Sequence, residues 1–162
     1  MHDRLKKLSF KHFDRLGVIL MFVANIITIN CAIKTNKYSN DIVSDSMGKY
    51  STISTDLRKY NRGVSVDDKN DLMYKYFDIT NEELFYIRNE NVSPEVSHDW
   101  MTGMIKQLKT FKKEKDFKDV LGNFKRIERT FDIDLDNVDE ENISKEVIEK
   151  CIENLKNYNA NK

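Results

Sequence analysis

The sequence predicts an all-α protein, with an N-terminal transmembrane helix followed by a small helical bundle of four or five helices. Residues 16–33 form one uncharged segment of eighteen residues. Elsewhere, apolar residues recur at steps of three and four, the spacing of a helix face. The chain contains one Pro and five Gly, too few for a turn-rich β architecture. These three observations give the fold class.

Length and charge restrict what the part after the apolar segment can be. The chain has 162 residues, and the part after residue 34 suffices for one ordinary domain. Lys plus Arg equal Asp plus Glu, at 27 each, so no nucleic acid is expected as a partner. The two cysteines, Cys31 and Cys151, do not describe a disulfide framework.

Residues 1–15 form a basic lead-in. Leu and Phe residues recur in it near helical spacing, with basic residues between them. Such a segment is typical of an amphipathic helix in the membrane interface.

Residues 16–34 are predicted to form a single membrane-spanning helix. A helix over residues 16–33 would be about 27 Å long, close to the bilayer hydrocarbon core of about 30 Å. No small-residue cleavage site follows it, so we expect an uncleaved anchor. Asn25 and Asn30 would seek hydrogen bonds in lipid, which predicts a protein partner or a homo-oligomer. The alternative is a soluble all-α bundle that buries helix 16–33 in its core.

The expected location is the cell membrane, with a single pass. Five basic residues precede the span, and Lys34, Lys37 and Lys49 are the three in the next twenty. By the positive-inside rule this excess of two favours a cytoplasmic N-terminus and an external helical domain, and the side of the helical domain stays open at this point.

The helical domain is predicted over residues 35–158. Its first helix ends near Gly63, since glycine is a common helix stop. Asp67 or Asp68 caps a second helix that runs to about Glu90.

The later helices have their own start signals. Ser93 and Pro94 suit the N-cap and the first position of a third helix. A continuous apolar face predicts a fourth helix over 117–131, and Ser144 begins a last one. Residues 159–162 are predicted to be a frayed tail.

The candidate chemistry lies in an aromatic and acidic block at residues 76–85. Glu82 and Glu83 sit between aromatic residues, and Glu83 adjoins the apolar stripe. A carboxylate there would be costly to bury without a cation, and Arg58 is the natural partner. The favoured interpretation is a structural ion pair, and the alternative is a small enzyme that uses Glu82 and Glu83 for acid–base work.

No metal site or cofactor is predicted. Residues 132–137 open like a calcium loop, but Asn137 stands where Gly is needed and Ile143 where a bidentate Glu is needed. His98 has no second His or Cys at ligand spacing, so no zinc site is predicted.

Three segments follow one another in an order that resembles a known family pattern. They are the span, then LRKYN at 57–61, then YFDITNEELFYIRNENVSPEVSHDWMTGM at 76–104. It is similar to a group of uncharacterised bacterial and phage single-pass membrane-anchored helical proteins, over residues 16–108. The resemblance implies a cytoplasmic helical domain, opposite to the charge count, and implies no activity. It marks a structural polar cluster: Arg58, Tyr60, Asn61, Glu82, Glu83 and Trp100, together with Phe77.

The sequence therefore predicts a membrane-anchored interaction, scaffold or accessory protein, of the kind encoded on a mobile element or phage. Its expected partners are the lipid bilayer and a protein or a second copy. The alternatives above, a soluble bundle and a small enzyme, stay open at this point.

Overall fold

The computed structural model describes residues 2–139 and 141–158, and for residues 2–25 and 30–33 it describes the backbone only. This part of the chain contains helices and no strand, which confirms the predicted all-α class. The chain divides into two compact units, Met1–Asn40 and Asp41–Lys162. The predicted tail at 159–162 lies outside the described residues.

Helix α1 covers His2–Asn61. In the N-terminal unit, Ile26, Ile27 and Ile29 are 52%, 58% and 59% exposed. Within the described residues, no helix is both long and apolar enough to cross a membrane. Most side chains of the predicted span at 16–33 fall outside that description, so the span stays a prediction.

The second unit contains the end of α1 and five further α-helices in the described residues. They are α2 (Lys69–Arg88), α3 (Pro94–Phe111), α4 (Phe117–Gly122), α5 (Lys125–Thr130) and α6 (Lys145–Asn157). A short 3-10 turn, Leu135–Asn137, lies in the loop before α6.

Helix α2 is the centre of the second unit and packs against α3, α4, α5 and α6. Its Phe77 is fully buried. The ring centroid of Phe77 lies 6.0 Å from Phe111, 6.2 Å from Phe117 and 5.4 Å from Phe124, each in an edge-to-face arrangement. These aromatic contacts fix α2 relative to its neighbours, because such pairs add directional energy to apolar burial.

The helix ends follow the local signals in the sequence. The Asp68 carboxylate accepts a hydrogen bond from the Asp71 N–H at 2.9 Å and so caps α2. Gly63 has a φ of 71°, and the Val64 N–H donates to the Lys59 carbonyl at 2.9 Å. Only glycine adopts this backbone conformation without strain, which explains why α1 stops there.

We expect Ser93→Ala to lower the free energy of unfolding by about 1 kcal/mol. The Ser93 Oγ accepts a hydrogen bond from the Val96 N–H at 3.3 Å at the start of α3. Ser144 is the matched control, because it holds the same position before α6 but its side chain makes no capping hydrogen bond. Urea denaturation of both alanine variants checks the prediction. Equal shifts of the two midpoints would contradict a specific role for the Ser93 cap.

The predicted single helix at 117–131 is wrong, since the chain forms α4 and α5 with a break at Asn123 and Phe124. Gly122 and Asn123 are weak helix formers, so interruption there is inexpensive. The break lets the Phe124 ring reach Tyr74, at 5.9 Å between centroids, as well as Phe77. Core packing thus overrides a continuous apolar face.

Candidate functional site

An open cleft of 670 Å³ lies between the C-terminal part of α1, α2 and α3. Much of its wall is apolar and aromatic, formed by Met47, Tyr50 and Leu57 of α1 with Tyr76 of α2 and Trp100 of α3. A concave surface of this size and composition is typical of ligand sites.

Two glycines show how open the surface beside α1 and α3 is. Gly103 of α3 lines the cleft, and a Cβ atom added to it would meet no atom within 4 Å. Gly48 of α1 has equally open space but lies outside the cleft. A side chain at position 103 would therefore project into the cleft without displacing the core.

Glu83 is the buried acid of the cleft. It is 2% exposed and lines the cleft from α2. The Ser46 hydroxyl donates to its Oε1 atom at 2.5 Å, and within the described residues no other hydrogen bond to this carboxylate forms. Burial raises the pKa of Glu83 to about 7; the Ser46 hydrogen bond opposes this rise and the charge of Glu82 adds to it. A carboxyl group with a pKa near neutrality in a cleft is a candidate functional group.

Two tyrosines stand next to this acid. The rings of Tyr50 and Tyr76 meet edge to face with centroids 5.9 Å apart. Burial is the main cause that raises the pKa of each hydroxyl, and the charge of Glu83 adds to the rise. Both phenols therefore stay neutral near physiological pH, the range in which Glu83 changes its charge.

Glu82 lies outside the cleft. Its carboxylate accepts hydrogen bonds from Lys49 Nζ at 2.6 Å and 2.7 Å and from the Tyr86 hydroxyl at 3.1 Å. Lys49 also pairs with Asp45 at 2.7 Å, and hydrogen bonds to Asp45 and Glu82 raise the pKa of the lysine. The two neighbouring carboxylates thus have different surroundings and do not form the paired-carboxylate site that the sequence left open.

The structure brings together four members of the predicted polar cluster. Arg58, Asn61, Glu83 and Trp100 all line the cleft. The Asn61 side chain also exchanges two hydrogen bonds with the amide of Gln107, at 3.0 Å and 3.2 Å.

The predicted ion pair between Arg58 and Glu83 is wrong. Arg58 is exposed, and its Nε donates to the Ser54 carbonyl at 3.4 Å within α1. Glu83 instead accepts one hydrogen bond from Ser46, which lies several turns before Arg58 on α1. Within the described residues, the acidic block forms its ion pair through Glu82, with Lys49.

Tyr60 lies outside the cleft and has a structural environment. Its hydroxyl donates to Glu114 Oε1 at 2.9 Å, and Lys69 pairs with the same carboxylate at 3.0 Å. Its ring lies 5.1 Å from that of Phe111. Tyr60 therefore joins the end of α1 to the start of α2 and the end of α3.

Sequence reasoning missed Ser46, the residue that holds Glu83. A signal was present, because Ile42, Ser46 and Ile53 follow helical spacing and all three are buried. For this helix, the spacing of apolar residues in the sequence predicts a buried stripe through Met47, Ile53 and Leu57, but Met47 is 68% exposed. The predicted stripe is therefore wrong at Met47 and right at Ile53 and Leu57, which are both buried.

The fold and the cleft define a class: an all-α domain with a ligand-sized cleft and one buried carboxyl group in its wall. Among the residues described, no group of three His, Cys, Asp or Glu side chains is placed to hold a metal ion. Comparison with protein-family models, curated proteins and solved structures finds no match for the chain. The resemblance over residues 16–108 stays a prediction.

Proposed function

We propose that this protein is a membrane-anchored interaction protein. In this proposal residues 16–33 hold it in a bilayer, and the helical domain binds a partner molecule at the cleft. The observation that carries the binding role is Glu83, an acid kept in a costly buried position beside an open, largely apolar cleft. A residue with a purely structural role there would be better replaced by an apolar one.

The exposed isoleucines support the anchor. Ile26, Ile27 and Ile29 are more than half exposed within a segment that carries no charge between Arg15 and Lys34. A group of neighbouring apolar side chains left uncovered is typical of a surface that meets lipid or another protein. Lipid is the proposed occupant because the uncharged segment has the length of a bilayer span.

Partner helices within the bilayer are part of the same proposal. Asn25 and Asn30 would lie inside the span, where side-chain amides hydrogen-bond across helices. A second copy of this chain or another membrane protein would supply the opposing helix.

The acid–base alternative has less geometric support. Glu82 is held by Lys49 and Tyr86, while Glu83 is held by Ser46. A paired-carboxylate mechanism needs both groups around one substrate, whereas Glu83 alone lines the cleft.

The anchor is tested by Ile27→Lys in the full chain. A lysine near the middle of a span is unfavourable by about 2.5–3.5 kcal/mol on the insertion scale, so the variant should leave the membrane fraction. Wild type should remain there after an alkaline carbonate wash and be released by detergent.

Met47→Lys is the matched control. Met47 is also an exposed apolar residue of α1, but it lies outside the predicted span. This variant should fractionate like wild type. Recovery of wild type itself in the carbonate supernatant would disprove the anchor.

A further inference from the structure

We infer that the cleft binds a small organic ammonium ion, a ligand whose protonated amine pairs with Glu83 and whose apolar body lies against the aromatic wall. This inference rests on the proposed binding role of the cleft. It adds the chemistry of the occupant.

The first argument is the state of the Glu83 carboxylate. Its Oε1 atom accepts the Ser46 hydrogen bond, while Oε2 accepts none from the described residues. An ionised carboxylate has room for about four hydrogen bonds, so one donor leaves most of its capacity unused. Because Glu83 lines the cleft, an ammonium group there would supply donors and a compensating charge.

The second argument is the wall around this acid. Tyr50 and Trp100 are half-buried and border the same cleft, and Tyr76 borders it with 2% of its surface exposed. Aromatic faces attract ammonium cations and also bury an apolar ligand body. The acid and the rings together therefore match a cation that carries an apolar group.

The third argument is size. The cleft volume of 670 Å³ lies inside the range of about 300–1,000 Å³ that is usual for small-molecule sites. We therefore assign the cleft to a small molecule.

The charges that face Glu83 agree with this assignment. The charged group of α2 that acts on Glu83 is the negative carboxylate of Glu82. The hydroxyls of Tyr50 and Tyr76 are neutral. The cleft wall also contains Asp99 of α3 and the exposed Arg58 of α1.

Arg58 does not neutralise Glu83. Its one hydrogen bond from Nε is to the Ser54 carbonyl of its own helix, and no ion pair joins it to Glu83. The acid at the cleft thus has no cationic partner among the described residues, and a ligand cation would provide one.

The test is isothermal titration calorimetry with the full chain in detergent at about pH 8, above the Glu83 pKa of about 7. The probe is 2-phenylethylammonium, and 2-phenylethanol is its uncharged counterpart. Wild type should bind the ammonium probe at least about tenfold more tightly than the alcohol. Glu83→Gln should lose about that factor for the ammonium probe alone. Glu153→Gln, at an exposed glutamate of α6, should bind like wild type.

A second variant tests the place of binding without changing any charge. Gly103→Leu fills open space in the cleft, whereas Gly48→Leu fills open space outside it. Both changes replace a helical glycine, so neither should impair folding. Binding should be lost in Gly103→Leu and retained in Gly48→Leu.

The pH dependence of binding provides a third readout. Affinity of wild type for the ammonium probe should fall as the pH drops below about 7, because the Glu83 carboxyl group becomes protonated while the amine keeps its charge. Glu83→Gln should show no such fall.

Three results with wild type and Glu83→Gln would overturn the inference, and one with Gly103→Leu would do so as well. The three are an absence of probe binding, equal affinity for the amine and the alcohol, and unchanged affinity in Glu83→Gln. Equal affinity for the two probes would leave the cleft as an apolar binding site, so the proposed function would stand. Undiminished binding in Gly103→Leu would place the probe elsewhere and remove the binding role of the cleft as well.

Discussion

Replacing Glu83 with glutamine is expected to stabilise the folded protein by about 3 kcal/mol at about pH 8. The Glu83 pKa is raised from its ordinary value of 4.5 to about 7 in the folded state, mainly by burial. Above that value the folded protein holds a buried carboxylate with one hydrogen bond, from Ser46. Glutamine keeps the shape of the side chain and an oxygen that accepts from Ser46, without the charge.

The same change should remove a pH dependence of stability. Between pH 4.5 and about pH 7 the folded state keeps the Glu83 proton while the unfolded state has lost it. Stability therefore falls with rising pH over this window, by about 1.4 kcal/mol for each pH unit. The protonated Glu83 side chain therefore stabilises the folded protein fully below pH 4.5, its pKa in the unfolded state. This contribution is lost as the pH rises through about 7, its pKa in the folded state. Urea denaturation across the window measures the slope.

Glu82→Gln is the control for this experiment, because Glu82 is the neighbouring carboxylate but is partly exposed and has a cationic partner. Glu82 is ion-paired with Lys49 on a partly exposed surface. Its loss should lower stability by about 1 kcal/mol or less. Parallel pH profiles of Glu83→Gln and wild type would show that Glu83 is not buried as an acid.

The helix boundaries that could be predicted are the ones fixed by local chemistry. Asp68, Ser93 and Gly63 act through hydrogen bonds and dihedral angles within a few residues of their own positions. The break near Asn123 depends instead on where the Phe124 ring packs in the core. Periodicity alone does not contain that information.

The candidate site was predicted in part, for a similar reason. Glu83 was found because a carboxylate beside an apolar stripe is costly, which is a local observation. Its partner depends on the rotation of α1 about its axis. Successive residues of a helix point about 100° apart, so Ser46 and Met47 cannot both face α2; Ser46 does, while Arg58, next to the buried Leu57, is exposed. Tertiary packing sets this rotation.

Phe77→Ala is expected to lower the free energy of unfolding by about 3–5 kcal/mol. Phe77 is 0% exposed, and beyond its own helix its ring meets three aromatic rings edge to face: Phe111 of α3, Phe117 of α4 and Phe124 before α5. Alanine would remove these contacts and leave a cavity, since neighbours held by several helices relax only in part.

Phe85→Ala is the matched control on the same helix. Phe85 is 46% exposed, and its ring contacts Tyr86 and the Arg126 guanidinium, at 5.8 Å and 5.8 Å. The chemical change is identical, but less apolar area returns to water, so the loss should be about 1 kcal/mol. Urea denaturation of the two variants measures the difference. Equal losses would mean that α2 does not turn Phe77 toward the core, and because Glu83 lies on the same helix, its place in the cleft would then be wrong as well.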